Sequence, residues 1–146
     1  MTTDELQQCL DRIRREVHAH CVACGSTNEH APRLRFVASP QGGVTTSFQP
    51  NTGDEGYNGI LHGGVIATLL DAAMTNCLFA QGHCGFTADL HVRYRHPVTS
   101  GEPCALRAWI ERSSSPLFTL RAELRQANQL RVTATGKFMI KKAVRP

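Results

Sequence analysis

Aromatic residues are scarce in this chain: six Phe, two Tyr and one Trp, 6% of 146 residues. No basic run has aromatics interleaved with it, which argues against nucleic acid as a partner. No stretch of membrane-spanning length is free of charge, and residues 1–17 hold no apolar core of signal-peptide length. The expectation is a cytoplasmic protein with no membrane contact. There is no internal repeat and no low-complexity segment. Cysteine is present but shows no framework spacing. The six thiols include one Cys-x-x-Cys pair, Cys21 and Cys24, and no second pair or His-x3-His to match it.

The length suits one domain with a sizeable core, and the composition is ordinary for a globular protein. Charge is unevenly spread. Residues 1–30 carry three basic and five acidic residues, net −2, and residues 31–146 carry thirteen and seven, net +6. A basic body suits an anionic ligand such as a phosphate-bearing cofactor. Residues 1–30 read as a flank and 31–146 as the main body of the same domain.

Between residues 56 and 81 the sequence runs GYNGILHGGVIATLLDAAMTNCLFAQ. It has no Pro or Gly from 65 to 80. Val65, Leu69, Leu70, Ala73, Cys77 and Leu78 recur at helical steps, with further apolar residues on the other faces. This predicts a helix buried nearly all round. Asp71 is its anomaly, because a buried carboxylate costs several kcal/mol unless it is paired, protonated or used.

Around this helix the chain reads in order as helix, two strands, long helix, four strands. Residues 3 to about 20 form an amphipathic helix with a stripe of Leu6, Cys9, Leu10, Ile13 and Val17, capped by Thr3 or Asp4. Period-two alternation then predicts a hairpin of 34–38 and 44–48. Gly82 and Gly85 mark the end of the central helix. Strands follow over 86–96, 103–112, 117–126 and 130–142, paired antiparallel through short turns. Leu90, Val92 and Tyr94 share one face. The expected class is α+β, a sheet wrapped on one long helix.

The Cys21-Val22-Ala23-Cys24-Gly25 turn resembles half a zinc site, and a closed site would need His18, His20 or a second chain to complete it. No thioredoxin-like pattern surrounds it. The reading is a pair of ordinary buried thiols, with no metal.

Several motifs together give a resemblance. Gly59-Ile60-Leu61-His62-Gly63-Gly64 is followed by Asp71 nine residues after His62. Thr87-Ala88-Asp89-Leu90-His91-Val92-Arg93-Tyr94 and Pro97-Val98 lie beyond the helix. Over residues 31–142 the chain resembles hotdog-fold proteins of the acyl-CoA thioesterase superfamily, in the PaaI-like branch. The resemblance implies a curved antiparallel sheet of five to six strands around one long central helix, with an N-terminal flanking helix. It implies a homodimer or homotetramer with active sites at the dimer interface. Carried over, the carbonyl-binding glycines fall on Gly63 and Gly64, the carboxylate of the facing subunit on Asp71, and supporting hydroxyls on Thr87 and Thr75. His62, Asn58 and Gly59 are the expected substrate-binding loop. Gly56 stands where many members carry Asn or Gln.

Elementary chemistry supports these roles. Backbone N–H groups at a helix start lack intrahelical partners, the helix dipole is positive there, and glycine admits a carbonyl closely. Asp71 lies roughly 12 Å along the helix from Gly63, so one subunit's Asp71 does not easily reach a carbonyl at its own Gly63. A two-fold axis brings each Asp71 to the other chain's helix start. Burial raises the Asp71 pKa and improves it as a base; general base and nucleophile are both open. His62 is expected to organise the loop, and His91 and His96 to lie at the surface or an interface. Arg93, Arg95, Arg112, Lys137, Lys141 and Lys142 are candidates for the phosphates of coenzyme A. Phe48, Phe79 and Phe86 suggest an aromatic or medium-chain acyl group. The expected activity is acyl-CoA thioesterase with coenzyme A as part of the substrate and no separate cofactor. The alternative is a non-catalytic acyl-CoA or small-ligand binding protein on the same fold.

Overall fold

The structure is a computed structural model that describes residues 1–30 and 32–141. The end of the last expected strand, with Lys142, lies outside the described residues.

The first helix, α1 (Thr3–Val17), starts at the expected residue, ends about three residues short, and is capped one residue before the expected Thr3 or Asp4. Thr2 is the N-cap, and Thr2 and Glu5 form a reciprocal capping box. Leu10 and Ile13 are buried, and the helix packs on the central helix. Of the expected hairpin, β2 (Val44–Phe48) forms in full but β1 is only Val37–Ala38. Leu34 and Phe36 still point inward with Ala38. Alternation therefore reported burial correctly. Before Val37 the Arg35 carbonyl accepts from Thr46 Oγ1 instead of from the strand ladder, while the Gln7 side chain of α1 accepts the Ala38 N–H.

The central helix α2 (Gly63–Ala80) has its last nine residues, 72–80, all buried. Its first half departs from the expectation of burial all round. Gly64 and Thr68 are exposed and Asp71 is half-buried, a stripe on one face of the helix. Among the described residues nothing covers Gly64 and Thr68.

The remaining strands are β3 (Cys84–Tyr94), β4 (Cys104–Ser114), β5 (Leu117–Gln126) and β6 (Gln129–Lys141). Gly82, at φ +81°, ends α2 as expected, but Gly85 belongs to β3. All six strands form one antiparallel sheet in the order β1-β2-β4-β5-β6-β3. β3 and β4 are thus not a hairpin. The chain crosses the end of the sheet between them. Gln126 pins that crossing: its Nε2 donates to the Thr99 carbonyl at 2.8 Å and its Oε1 accepts the Thr99 N–H at 2.9 Å. β5 and β6 turn through two residues, Ala127 and Asn128, both at positive φ, rather than three. Such a turn matches strand twist.

The inner face carries Leu106, Ala108, Phe118, Leu120, Leu124, Val132 and Phe138 against α2. Gly136 lets the helix approach the sheet: a Cβ there would meet Met74 Sδ at 3.0 Å and Phe138 Cε1 at 2.7 Å. This is the hotdog architecture, α+β with a six-stranded sheet wrapped on one long helix.

Candidate active site

Three elements build the site: the loop before α2, the first half of α2, and β3. The loop is held by backbone bonds. His62 N–H donates to the Asp54 carbonyl and Leu61 N–H to that of Val98. Asn58 and Gly59 lie in the tight turn closed by Ile60 N–H on the Tyr57 carbonyl, with Gly59 at φ +79°. They sit at the surface and shape the loop. Ser100 Oγ donates to Glu55 and ties the loop to the crossing segment. The His62 ring packs above Gly56, where an added Cβ would meet its Cδ2 at 3.2 Å. That crowding accounts for the small residue at position 56.

His62 is the N-cap of α2, and its Nδ1 accepts the Gly64 N–H at 2.8 Å. This fixes Nδ1 as the unprotonated nitrogen. It also commits the Gly64 amide. The Gly63 amide has no partner among the described residues, and so Gly63 is the glycine free to receive a carbonyl oxygen. The Gly63 carbonyl is bound as well, by the Tyr94 hydroxyl at 2.6 Å. The sequence motif contains Tyr94 but assigns it no role. Its place on the face of Leu90 and Val92 was the available signal.

Asp71 accepts a hydrogen bond from the Thr87 hydroxyl at 2.6 Å. Thr87 faces the helix because of a bulge. β3 pairs Thr87 with Phe138 and Asp89 with Lys137, which leaves Ala88 extra. One extra residue switches the inward parity of the strand. Thr87, Leu90 and Val92 thereby point to the same side. Burial pushes the Asp71 pKa above the ordinary carboxylate value, and the Thr87 hydroxyl partly opposes it. No salt bridge reaches Asp71 among the described residues. Thr75, one turn on, is buried. It does not share the Thr87 contact but lines a cavity of about 210 Å³ with Val17, His18, Phe79, Phe86 and Lys141. Phe48 lies elsewhere, in a separate cleft with His30, Arg33 and Arg35.

A second cleft, of about 330 Å³, opens beside Gly63 and is lined by Ile60, Ile66, Tyr94, Arg95 and Val98. Arg95 also lines a neighbouring groove on the outer face with His91, Arg93 and Arg121. Of the basic candidates, Arg95 is thus brought to the helix start, with Arg93 beside it in the outer groove. Arg112 and Lys137 are exposed elsewhere, and Lys141 sits over the Phe86 ring. His91 and His96 are both exposed.

Thr87 sets a testable balance. Thr87→Val removes the donor that lowers the Asp71 pKa, so any acid limb of the pH–rate profile should move to higher pH. Thr87→Ser should leave it in place. An unmoved limb in both variants would detach that limb from Asp71.

The fold and this arrangement define a hotdog protein whose helix start can receive a carbonyl. Residues 58–133 match the model of the thioesterase superfamily. That is just over half of the chain, and the chain belongs to this family. Among curated proteins it is 28% identical to the bovine (Bos taurus) acyl-coenzyme A thioesterase THEM4 over 94 residues. The match takes in 63% of this chain and 38% of that one, so the chain spans well under half of this relative. A solved thioesterase superfamily protein is 29% identical with a TM-score of 0.78, covering 83% of this chain and 63% of its own. PaaI of E. coli, from the phenylacetic acid degradation operon, shares the fold over 98% of both chains at TM-score 0.81 and 12% identity.

Proposed function

We propose that the chain hydrolyses acyl-CoA thioesters at a site shared by two copies of itself. The observation that carries this is Asp71: a half-buried carboxylate with a raised pKa, one hydroxyl donor and no salt bridge among the described residues, on a helix whose first amide has no partner among them. The superfamily supports the reaction class, as does the relationship to a protein named for its action on acyl-coenzyme A.

The thioester carbonyl sits at the Gly63 N–H of one subunit. Asp71 of the other subunit takes a proton from water as the water oxygen attacks the carbonyl carbon. The oxyanion that forms is held by the Gly63 amide and the positive end of the helix. Its collapse breaks the carbon–sulfur bond, and the leaving thiolate takes the proton from Asp71, so that the coenzyme departs as the thiol and the carboxylate is restored. Thr87 holds Asp71 in position. His62 and Tyr94 fix the glycine backbone through Gly64 N–H and the Gly63 carbonyl.

The dimer forms through β3. It is an eleven-residue edge strand in which no residue is buried in the single chain, and such an edge is a template for pairing. Phe86 and Tyr94 on it, and Met139 beside it, are exposed by 62%, 49% and 45%. The acyl group enters the cavity with Phe79 and Phe86, which suits an aromatic or medium-chain group. Arg93 and Arg95 take the coenzyme phosphates.

Thiol release from a panel of acyl-CoAs tests the activity, with the protein's own cysteines blanked. No turnover above background on any of them would overturn it. Arg93→Ala with Arg95→Ala should raise KM by roughly ten-fold or more with kcat much less changed, as expected for loss of uniform binding. A fall in kcat at constant KM would place the phosphates elsewhere.

A further inference from the structure

Cys21 and Cys24 have no role in the hydrolysis proposed above and His18 only lines the cavity assigned to the acyl group, yet the fold gathers the three. One ligand atom from each lies within 4.8 Å of the others, and Cys24 Sγ is 3.7 Å from His18 Nδ1. Around a tetrahedral zinc, sulfur and nitrogen ligands are about 3.5–3.8 Å apart, from the usual bond lengths. Small rotations would close the set on an ion.

The turn itself has the form that a bound thiolate requires. Cys21 Sγ accepts the backbone N–H of Ala23 at 3.4 Å and of Cys24 at 3.5 Å. Gly25 N–H closes the turn on the Cys21 carbonyl at 3.0 Å. A Cβ at Gly25 would come within 2.4 Å of the Cys21 nitrogen, so this tight turn needs glycine. Asn76, fully buried on α2, donates its Nδ2 to Cys24 Sγ at 3.5 Å and to the Ala72 carbonyl at 2.8 Å. The His18 ring stands edge-on to Phe79, centroids 5.0 Å apart. His20 is turned away onto the Thr27 hydroxyl at 2.8 Å. The sequence left the choice between the two histidines open, and the structure selects His18.

We propose that His18, Cys21 and Cys24 bind a thiophilic divalent cation, zinc by the chemistry of the set, and that it clamps the N-terminal flank onto α2. A sulfur-rich set with one imidazole favours zinc over the hard cations. Each thiol gives up its proton to solvent on binding, and the imidazole binds neutral. Three protein ligands leave a fourth position for water or an exogenous ligand. Asp71 is not among the ligand atoms that cluster here, and its Oδ1 accepts from Thr87. Asn76 and Phe79 lie about one and a half to two turns past Asp71. The clamp therefore fixes the flank beside the proposed base, which departs from the sequence expectation of no metal. The site stands whether or not the chain hydrolyses thioesters.

Cobalt(II) titration of the full chain, reduced and stripped of metal with a chelator, tests it. The expected result is one equivalent bound, with a thiolate-to-cobalt charge-transfer band, the strong visible bands of a tetrahedral site, and displacement by zinc. Cys21→Ser and Cys24→Ser should each weaken binding by at least about 100-fold and His18→Gln by about 10-fold or more, whereas His20→Gln should leave it unchanged. Cys21 is half-exposed, so its variant stays informative if the buried Cys24 variant misfolds. Absence of the charge-transfer band in the reduced wild type would overturn the proposal. So would unchanged affinity in Cys21→Ser, or equal losses in His18→Gln and His20→Gln.

Discussion

Asp71→Asn should cut acyl-CoA turnover by about 10²–10⁴, the usual contribution of a positioned general base. Asparagine keeps the shape and an acceptor for the Thr87 hydroxyl, so the contact at Asp71 survives. It cannot take a proton from water. The loss should appear in kcat rather than in KM, because the carboxylate acts in the transition state. Stability should hold or rise. Burial lifts the Asp71 pKa above its unfolded value. Its favourable contribution is complete below the unfolded pKa and is lost as pH rises through the folded one. Above the folded pKa the buried, ionised carboxylate is a cost that asparagine removes. Melting temperature and oligomeric state, read beside turnover, separate chemistry from folding. Turnover near the wild-type level in Asp71→Asn would end the proposed mechanism.

Gly63→Pro is the second large effect, with an expected loss of about 10²–10³ in kcat, the size seen when one oxyanion donor is removed. The substitution deletes the one amide assigned to the carbonyl. Gly63 is the first residue of α2, the helix position where proline is most welcome. The residue before it, His62, is extended at φ −63° and ψ 133°, as a residue before proline must be. A Cβ at Gly63 meets Tyr94 Cζ at 3.5 Å, an ordinary contact. Folding should therefore be retained while the donor is gone. Gly63→Ala, which keeps the amide, should be far milder. Equal losses in the two would shift the effect from the amide to crowding of the cleft.

Much of this site was legible in the sequence because its parts are local. The glycine step into a long apolar helix, with one carboxylate at a fixed spacing, needs no tertiary information. His62 as organiser of the loop follows from its place just before the helix. The partners across the sheet were harder to see. Thr87 was named through the resemblance, but a one-residue bulge aims it at Asp71, and alternation alone assigns the wrong parity. Tyr94 reaches Gly63 only because β3 leaves its neighbour in sequence and pairs with β6. The rule that strands joined in sequence pair together misplaced β3 at that step. The exposed stripe of Gly64, Thr68 and Asp71 was misread as buried for a related reason. Its apolar surroundings resemble a core helix, yet no described residue covers Gly64 and Thr68; in the proposed dimer the partner subunit would. His18 could not be told from His20 by spacing. The choice came from Thr27, which takes the His20 ring.

The shared site is the central claim, and mixing the two inactive variants tests it most directly. Asp71→Asn keeps the carbonyl site and lacks the base. Gly63→Pro keeps the base and lacks the carbonyl site. In a dimer of the two, one site has both defects and the other has neither. After subunit exchange in equal amounts, thiol release from an acyl-CoA should recover to about a quarter of the wild-type rate, since half the dimers are mixed and each holds one intact site. A mixture no more active than the sum of its parents, with exchange confirmed by a tagged subunit, would contradict a site built from Gly63 of one chain and Asp71 of the other.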